Sequence, residues 1–216
     1  MSAYCPTCGT QTAAVEVDHG AGSVTCPSCG DERPFRSLPL HVVVGASGTG
    51  KTTAWRRVVG TIDAAVLDWD ITTFDEDGGY GAHLRELADG PRTGFWLRLS
   101  ANLHRSGVQV VLFTGAVGPD EIADRPESRY FPTVRYLALT CDAGTLRERL
   151  RDRRGWEWAR DEGFPWADLD LQTSINAAYR EAAADPDSPV TAVDTGERTP
   201  PEVATRLREW VQRGLG

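Results

Sequence analysis

The sequence predicts an α/β fold with a parallel sheet, preceded by a small metal-binding module. Three observations support it: apolar β-branched runs alternate with helical patterns after residue 40, a glycine-rich loop follows the first run, and two Cys-x-x-Cys pairs precede residue 30. We expect two domains, a ribbon at 1–39 and an α/β domain at 40–216, joined by a linker framed by Pro34 and Pro39. The expected strands of the five-stranded parallel sheet are at residues 41–44, 65–70, 108–115, 134–139 and 190–194.

The composition limits the classes of function. The chain of 216 residues has a formal net charge of −8, and it lacks an apolar run of the roughly 18–20 residues that span a bilayer. An acidic chain does not favour nucleic-acid binding, and no charged-then-apolar export signal opens the sequence. We therefore expect a cytoplasmic protein whose partner is a small molecule rather than nucleic acid or a membrane. The oligomeric state stays open.

Four of the five cysteines form two matching turns that read Cys-Pro-x-Cys-Gly. Cys5 and Cys8 belong to the first, and Cys26 and Cys29 to the second. Each turn can direct two thiolates at one ion, and the glycine lets backbone amides approach the sulfurs. Together they supply the four ligands of a structural Zn²⁺. The alternative, two disulfides, requires an oxidising compartment. Cys141 stands apart and is expected to be a buried small hydrophobe.

The segment between the cysteine pairs predicts a β-hairpin. Residues 14–17 and 23–25 are rich in β-branched side chains and flank Gly20 and Gly22, so the unit resembles a zinc ribbon. The ribbon has four acidic and two arginine side chains, and a Cys₄ zinc site adds about two negative charges. Binding to a phosphate backbone is therefore disfavoured, and a packing or substrate-covering role is favoured.

A phosphate-binding loop is predicted between the first strand and the following helix. Residues 45–52 read Gly-Ala-Ser-Gly-Thr-Gly-Lys-Thr, which fits GxxxxGK[ST] in the required order of strand, loop and helix. The glycines let successive backbone N–H groups surround a phosphate, and the helix N-terminus adds positive potential. Lys51, the only lysine, would contact the β- and γ-phosphates, and Thr52 would bind Mg²⁺. The loop predicts the three-layer P-loop NTPase sandwich.

Charged side chains at two later positions complete a candidate site. Asp68 and Asp70 end the second strand and share one face if that strand continues. One could act as a general base and the other could organise Mg²⁺ through water, or both could be solvated turn residues. Residues 147–154 contain five arginines in eight positions, which indicates either a solvated helix or a lid, around 147–166, that closes on the transferred phosphoryl group. Helices are also expected at 83–88 and 95–103.

With these motifs in place, residues 40–214 resemble the small P-loop kinases. This nucleoside and nucleotide monophosphate kinase-like group includes adenylate, shikimate and gluconate kinases and chloramphenicol phosphotransferase. The resemblance rests on GASGTGKT at 45–52, LDWD at 67–70, YLALTCDAGTLRERLRDRRG at 136–155 and AVDTGERTPPEVATRLREWV at 192–211. It implies transfer of the γ-phosphoryl group of ATP to a hydroxyl or phosphate of a small acceptor, such as a nucleoside, a nucleotide or a sugar-like metabolite.

The resemblance also implies roles for individual residues. Asp68 corresponds to the catalytic base, with Asp70 as its rival, and either could contact the acceptor. Lys51 and the lid residues Arg149 and Arg153 would face the phosphates. Arg98 would orient the acceptor, and Gln172 and Asn176, four residues apart on one helix face, could hydrogen-bond it. ATP and Mg²⁺ are expected at Gly45, Ala46, Ser47, Gly48, Thr49, Gly50, Lys51, Thr52 and Thr53, with the adenine near Thr195 and Gly196.

Two departures from the wider P-loop pattern narrow the class. The third strand ends Phe113-Thr114-Gly115, without the aspartate of a Walker B element, and no NKxD guanine motif occurs. Both argue against a mechanical ATPase and a switch GTPase. A second hypothesis is an ATP-binding regulatory or nucleic-acid-associated module that uses the ribbon for recognition. ADP release that responds to a small acceptor would distinguish the two.

Overall fold

The ribbon is a three-stranded antiparallel sheet. The computed structural model describes residues 4–11, 14–72 and 91–214. The strands are β1 (Glu16–Asp18), β2 (Ser23–Thr25) and β3 (Glu32–Pro34). Val24 lies opposite Val17 on one side and Arg33 on the other, so the predicted hairpin is confirmed. β3 ends at Pro34, the first residue of the predicted linker, and this proline is tolerated because β3 is an edge strand of the ribbon sheet.

The second sheet has five parallel strands, as predicted. They are β4 (Leu40–Val44), β5 (Ala65–Asp68), β6 (Val110–Phe113), β7 (Val134–Thr140) and β8 (Val190–Asp194). Their order in the sheet is β5-β6-β4-β7-β8, with the first strand of the α/β unit at the centre. Helices cover both faces, which explains why β4 and β6 are buried along their whole length and contain so few polar residues.

Seven described helices complete the α/β unit. They are α1 (Lys51–Val58), α2 (Pro91–Arg105), α3 (Pro119–Ala123), α4 (Ala143–Arg151), α5 (Trp156–Asp161), α6 (Leu169–Ala184) and α7 (Pro200–Arg213). Alternate residues of β4 point to opposite faces of the sheet: Val43 packs with α1 and α7, whereas Val42 and Val44 pack with α2, α3 and α6. These two cores separate the three layers of the fold. Short 3₁₀ helices span Trp69–Thr72, Pro126–Tyr130 and Pro165–Ala167.

Side chains at the start of the last helix cap it locally. Thr199 and Glu202 form a reciprocal capping box at the start of α7. The helix predicted at 83–88 lies outside the described residues. Among the described helices, none is long and apolar enough to cross a membrane.

The ribbon packs directly on the α/β unit. Val15, Val24 and Phe35 belong to the same buried cluster as the central strand of the large sheet. The ring of Phe35 lies 6.0 Å from that of Tyr130, centroid to centroid, and Nη1 of Arg129 donates to the carbonyl of Val15 at 3.3 Å. The contact surface on the α/β unit is therefore the 3₁₀ segment Pro126–Tyr130.

Candidate active site and metal centre

The phosphate loop is shaped by two glycines that other residues could not replace without strain. Gly45 has φ +148°, and a Cβ there would lie 2.5 Å from the carbonyl oxygen of Leu139. Gly50 caps α1 with a left-handed φ of 95°. The chain thus turns tightly from the buried end of β4 into α1, whose first amide groups face the end of the sheet. This is the arrangement that binds phosphate at a helix N-terminus.

Two polar residues of α6 form hydrogen bonds with the phosphate loop and with the residue that follows β7. The backbone N–H of Ser47 donates to Oε1 of Gln172 at 2.6 Å, and Nε2 of Gln172 donates to the carbonyl of Pro165. Asn176 exchanges two hydrogen bonds with the backbone of Cys141. Both amide side chains are buried.

Gln172 and Asn176 share one helix face, as predicted, and their amide groups are engaged by backbone. In these contacts they hold the phosphate loop and the end of β7. The expected hydrogen bonds from these residues to an acceptor stay a prediction. Cys141 is buried, as predicted.

The ammonium of Lys51 lies among the charged residues that the sequence singled out. Nζ donates to the carbonyls of Gly45 and Ala46, at 2.6 and 2.9 Å. Burial lowers the pKa of Lys51 to about 8, the positive charge of Arg153 contributes, and the negative charges of Asp70 and Asp68 oppose the shift. The fold therefore brings both carboxylates and one lid arginine close to the lysine of the phosphate loop.

Asp68 and Asp70 approach Lys51 by a different route from the one predicted. The strand ends at Asp68, and Trp69–Thr72 form a 3₁₀ helix, so the two carboxylates do not share a strand face. Oδ1 of Asp68 accepts a hydrogen bond from the backbone N–H of Asp70 at 3.0 Å. Burial raises the pKa of Asp68, and the neighbouring charge of Asp70 adds to this. Asp68 is thus the more protected carboxylate, whereas Asp70 is 63% exposed.

Arg92 is a site residue that the sequence analysis missed. Its Nη2 donates to the carbonyl of Trp69 at 3.0 Å and lies 3.8 Å from Oδ1 of Asp70. The guanidinium sits 5.0 Å over the ring of Trp69, which stacks on Trp96. Pro91 at the helix start was the available signal, because it places Arg92 in the first turn of α2. Arg92 fixes the position of Asp70.

Arg98 is anchored to a buried acid. Its Nε and Nη2 donate to Oε1 of Glu127, at 2.8 and 2.5 Å, and the Glu127 side chain is 8% exposed. Glu127 belongs to the 3₁₀ segment that also carries the ribbon. The expected role of Arg98 in orienting an acceptor stays a prediction.

The two predicted lid arginines, Arg149 and Arg153, contact different parts of the site. Arg153 lies 4.2 Å over the ring of Trp166 and acts electrostatically on Lys51. Arg149 instead donates to the hydroxyl and the carbonyl of Thr195, at 3.0 and 2.8 Å. The hydroxyl of Thr195 donates in turn to the carbonyl of Thr49.

A cavity of about 240 Å³ opens beside this Arg149–Thr195 contact. It is continuous with the phosphate loop through Gly48, Gly50 and Thr53. Gly196, also predicted near the adenine, donates its N–H to Asp194 and follows Thr195 at the cavity rim. The remaining lining residues are Ala54, Arg198, Pro200 and Val203.

The four predicted zinc ligands are brought together at the tip of the ribbon. The sulfurs of Cys5 and Cys29 are 3.8 Å apart, those of Cys8 and Cys26 are 3.9 Å apart, and all four lie within 4.8 Å of one another. A tetrahedron with Zn–S bonds of 2.3 Å has sulfur separations of about 3.8 Å. Hydrogen bonding with Thr10 lowers the pKa of Cys8 to about 6, which favours the thiolate. The geometry and the donor set both fit Zn²⁺.

The sequence matches no known family profile, and no curated protein is similar to it. Solved structures are similar in fold. A sugar kinase from Janibacter sp. shares 19% identity with a TM-score of 0.58, covering 81% of this chain and 95% of its own. Shikimate kinase from Acinetobacter baumannii, solved with shikimate, shares 16% identity with a TM-score of 0.53. The similarity covers 83% of this chain and 96% of the shikimate kinase chain.

This chain has the fold of the small P-loop kinases. The APS kinase of Mycobacterium tuberculosis, solved with AMPPNP and APS, supports the same conclusion at 17% identity and a TM-score of 0.53, covering 83% of this chain and 99% of its own. The identities are low, so the shared property is the kinase fold. The residues of this chain must carry any argument about chemistry.

Proposed function

We propose that the protein is an ATP-dependent phosphotransferase that acts on a small hydroxylated acceptor. One observation carries the proposal: the charges of Asp68, Asp70 and Arg153 all act on the ammonium of Lys51, which lies at the end of a glycine-rich phosphate loop. A base, an anchor for the transferred phosphoryl group and a cation for its developing charge are then available at one point.

ATP would lie across the end of the sheet. Its β-phosphate would be bound by the backbone N–H groups of the loop, residues 45–53, and its base would enter the cavity beside Arg149 and Thr195. The planar guanidinium of Arg149 is held at the cavity wall by two hydrogen bonds, which suits it to contact a flat heterocycle. Lys51 would exchange its carbonyl partners for phosphate oxygens.

The reaction follows from the positions of the charged groups. The acceptor hydroxyl oxygen would form a bond to the γ-phosphorus while the bond from that phosphorus to the bridging oxygen of ADP breaks. The hydroxyl proton would pass to Asp68, whose pKa is raised by burial, which favours acceptance of a proton. Lys51 and Arg153 would stabilise negative charge on the transferred group.

Residues for a magnesium ion are present around the same point. Thr52 is exposed in the first turn of α1, and the charge of Asp70 acts on the ammonium of Lys51 in the same turn. When bound, Mg²⁺ would neutralise charge on the β- and γ-phosphates. Thr114 stands at the position of the Walker B aspartate, and its hydroxyl donates to the carbonyl of Gly115. We therefore assign the carboxylates of Asp68 and Asp70 to the binding of Mg²⁺.

The lid that we propose is shorter than residues 147–166. Leu146 and Leu150 of α4 are fully buried, and a Cβ on Gly48 would lie 3.1 Å from Leu150, so α4 is packed on the phosphate loop. Closure would be confined to residues 152–166, which carry Arg153 and the exposed Trp158. A closed lid would exclude water and limit ATP hydrolysis.

The test is a screen for acceptor-dependent ADP release. The fold neighbours are named as kinases of sugars, shikimate and APS, so the panel contains sugars, hydroxy acids, nucleosides and nucleotides, and mass spectrometry identifies the product. The proposal predicts a stimulated rate with at least one small acceptor and no turnover with Lys51→Ala. ADP release that responds to nucleic acid alone would refute it and favour the regulatory hypothesis.

A further inference from the structure

A large cavity lies outside the candidate active site, along the outer side of β8. It has a volume of about 630 Å³ and lies between α6 and α7. We call it the β8 groove and define it by its five arginines, Arg135, Arg180, Arg198, Arg206 and Arg213. None of the roles proposed above uses this space, although Arg198 also lines the nucleotide cavity.

The charge of the β8 groove is opposite to that of the whole chain. The chain carries a net charge of −8, yet five arginines and one acid, Asp194, line the groove. The carboxylate of Asp194 already accepts a hydrogen bond from the N–H of Gly196. The pair of Arg206 with Glu209 is exposed and 3.6 Å long, so it neutralises little. The groove therefore attracts anionic groups.

The arginines of the groove are only partly engaged. Nη1 of Arg135 is buried near Gly214, and its guanidinium lies 5.6 Å over the ring of Trp210, so this residue contributes charge rather than a free donor. Arg180 and Arg206 are exposed on the two helices that flank the groove, α6 and α7, and Arg180 uses Nη1 in one long hydrogen bond of 3.4 Å to the carbonyl of Cys141. Each guanidinium offers up to five N–H donors in a planar fork that matches a carboxylate.

The floor of the β8 groove is a sheet edge. β8 pairs with β7 on one side only, and within residues 91–214 and the other described segments no strand lies beyond it. Thr191 and Ala192 are exposed at this edge. Backbone donors and acceptors along such an edge can pair with another extended chain.

The β8 groove thus combines two recognition elements, the arginine side chains on its walls and the backbone edge of β8 at its floor. An extended segment lying along β8 would form main-chain hydrogen bonds with the edge, while its alternate side chains would reach arginines on both walls. We propose that the β8 groove binds an extended acidic segment of a partner protein by strand addition. A second copy of this chain is a poorer occupant, because pairing two β8 edges would set arginines against arginines.

The experiment measures peptide binding to the full-length, zinc-loaded protein by fluorescence anisotropy. The probe is a labelled peptide of about ten residues that alternates glutamate and valine, matched to a strand length. Two control peptides separate the recognition elements: one replaces glutamate with lysine, and one keeps the charge but carries N-methyl groups on alternate backbone amides. We expect the lysine peptide not to bind and the N-methyl peptide to bind at least about tenfold more weakly.

Variants of the protein locate the site. Arg180→Glu combined with Arg206→Glu should weaken binding of the acidic peptide by at least about 100-fold, because two attractions become repulsions. Arg105→Glu, an exposed arginine at the end of α2, is the matched control and should change binding by less than about threefold. Thermal unfolding of each variant checks folding, and hydrogen exchange should show protection of residues 190–194 in the complex.

Four results would overturn the proposal. Equal binding of the N-methyl peptide would mean charge attraction without strand addition. Competition by inorganic diphosphate at the same concentration as the peptide would indicate an anion site. Preference for an RNA oligonucleotide, or self-association that the double arginine variant abolishes, would assign the groove to another partner. None of these outcomes depends on phosphotransferase activity.

Discussion

At the scale of single residues, Lys51 carries the most specific consequence of the structure. The sequence uses one lysine and places it in the phosphate loop, where burial lowers its pKa to about 8. Phosphate oxygens favour the charged form, so nucleotide binding raises this pKa again. Between the two values, binding takes up a proton, and the affinity for MgATP must fall as pH rises.

The first prediction concerns this pH dependence. We expect the Kd for MgATP to be flat below about pH 8 and to rise by up to about tenfold per pH unit above it. Isothermal titration calorimetry at several pH values, in buffers of different ionisation enthalpy, measures both Kd and proton uptake. Lys51→Arg is the control, since arginine stays charged throughout and should show no such rise. A flat profile in the native protein would contradict the prediction.

The second prediction assigns the base. Asp68→Asn should reduce the rate of phosphoryl transfer by about 10²–10⁴, because the amide cannot accept the hydroxyl proton. Its Kd for MgATP should change by less than about threefold. The measurement is single-turnover transfer to an acceptor found in the screen, with Asp63→Asn, an exposed acid nearby, as the control. A normal transfer rate in Asp68→Asn, together with an inactive Asp70→Asn, would show that Asp70 is the catalytic base.

At the scale of elements, the sequence predicted what local patterns determine. The five strands follow from β-branched runs, and the phosphate loop follows from a motif whose glycines must adopt unusual φ values. The sequence did not predict the 3₁₀ turn after Asp68 or the pairing of Arg92 with Asp70, because both depend on how Arg92 and Trp96 of α2 pack against Trp69. Arg92 is 22 residues from Asp70, and no local spacing links them.

The orientation of α6 shows the same limit. The spacing of Gln172 and Asn176 correctly predicted a shared helix face, but the sequence did not reveal whether that face points to an acceptor or to the phosphate loop. Tertiary packing decides this. Helix periodicity alone gives the face and leaves its partner open.

The third prediction tests the structural role of Gln172. Gln172→Met keeps the side-chain volume but leaves the partly buried N–H of Ser47 without its acceptor, which costs about 1–3 kcal/mol. We expect weaker MgATP binding, by about tenfold, with an unchanged KM for the acceptor. Calorimetry and steady-state kinetics measure the two constants. The opposite pattern, a raised acceptor KM with normal MgATP affinity, would support the role in acceptor binding instead.

At the scale of the whole molecule, the ribbon and the α/β unit share one hydrophobic core. The sequence indicated a separate metal module, because cysteine spacing is a local signal and the apolar contacts of Val15, Val24 and Phe35 are not. In the structure these side chains join the cluster around β4. The 3₁₀ segment beneath them carries Glu127, which holds Arg98. The cysteine cluster expected to bind Zn²⁺ is thereby connected to the region proposed to orient the acceptor.

The last prediction follows from this shared core. Because Phe35 is 3% exposed and packs on Tyr130, Phe35→Ala should destabilise the whole chain by about 3–5 kcal/mol, with one cooperative unfolding transition. Leu171→Ala, at a 41% exposed position, is the control and should cost less than about 1 kcal/mol. Differential scanning calorimetry measures both.

Removal of the Zn²⁺ that the four cysteines are expected to bind should act in the same direction, since a bound ion would stabilise only the folded ribbon. Chelation should lower the Tm and increase hydrogen exchange in residues 126–131, and added Zn²⁺ should restore both. The phosphate loop at 45–53 should keep its protection in the folded protein, because its supports come from α4 and α6. Two separate transitions, or exchange confined to the ribbon, would show instead that the metal module folds independently of the α/β unit.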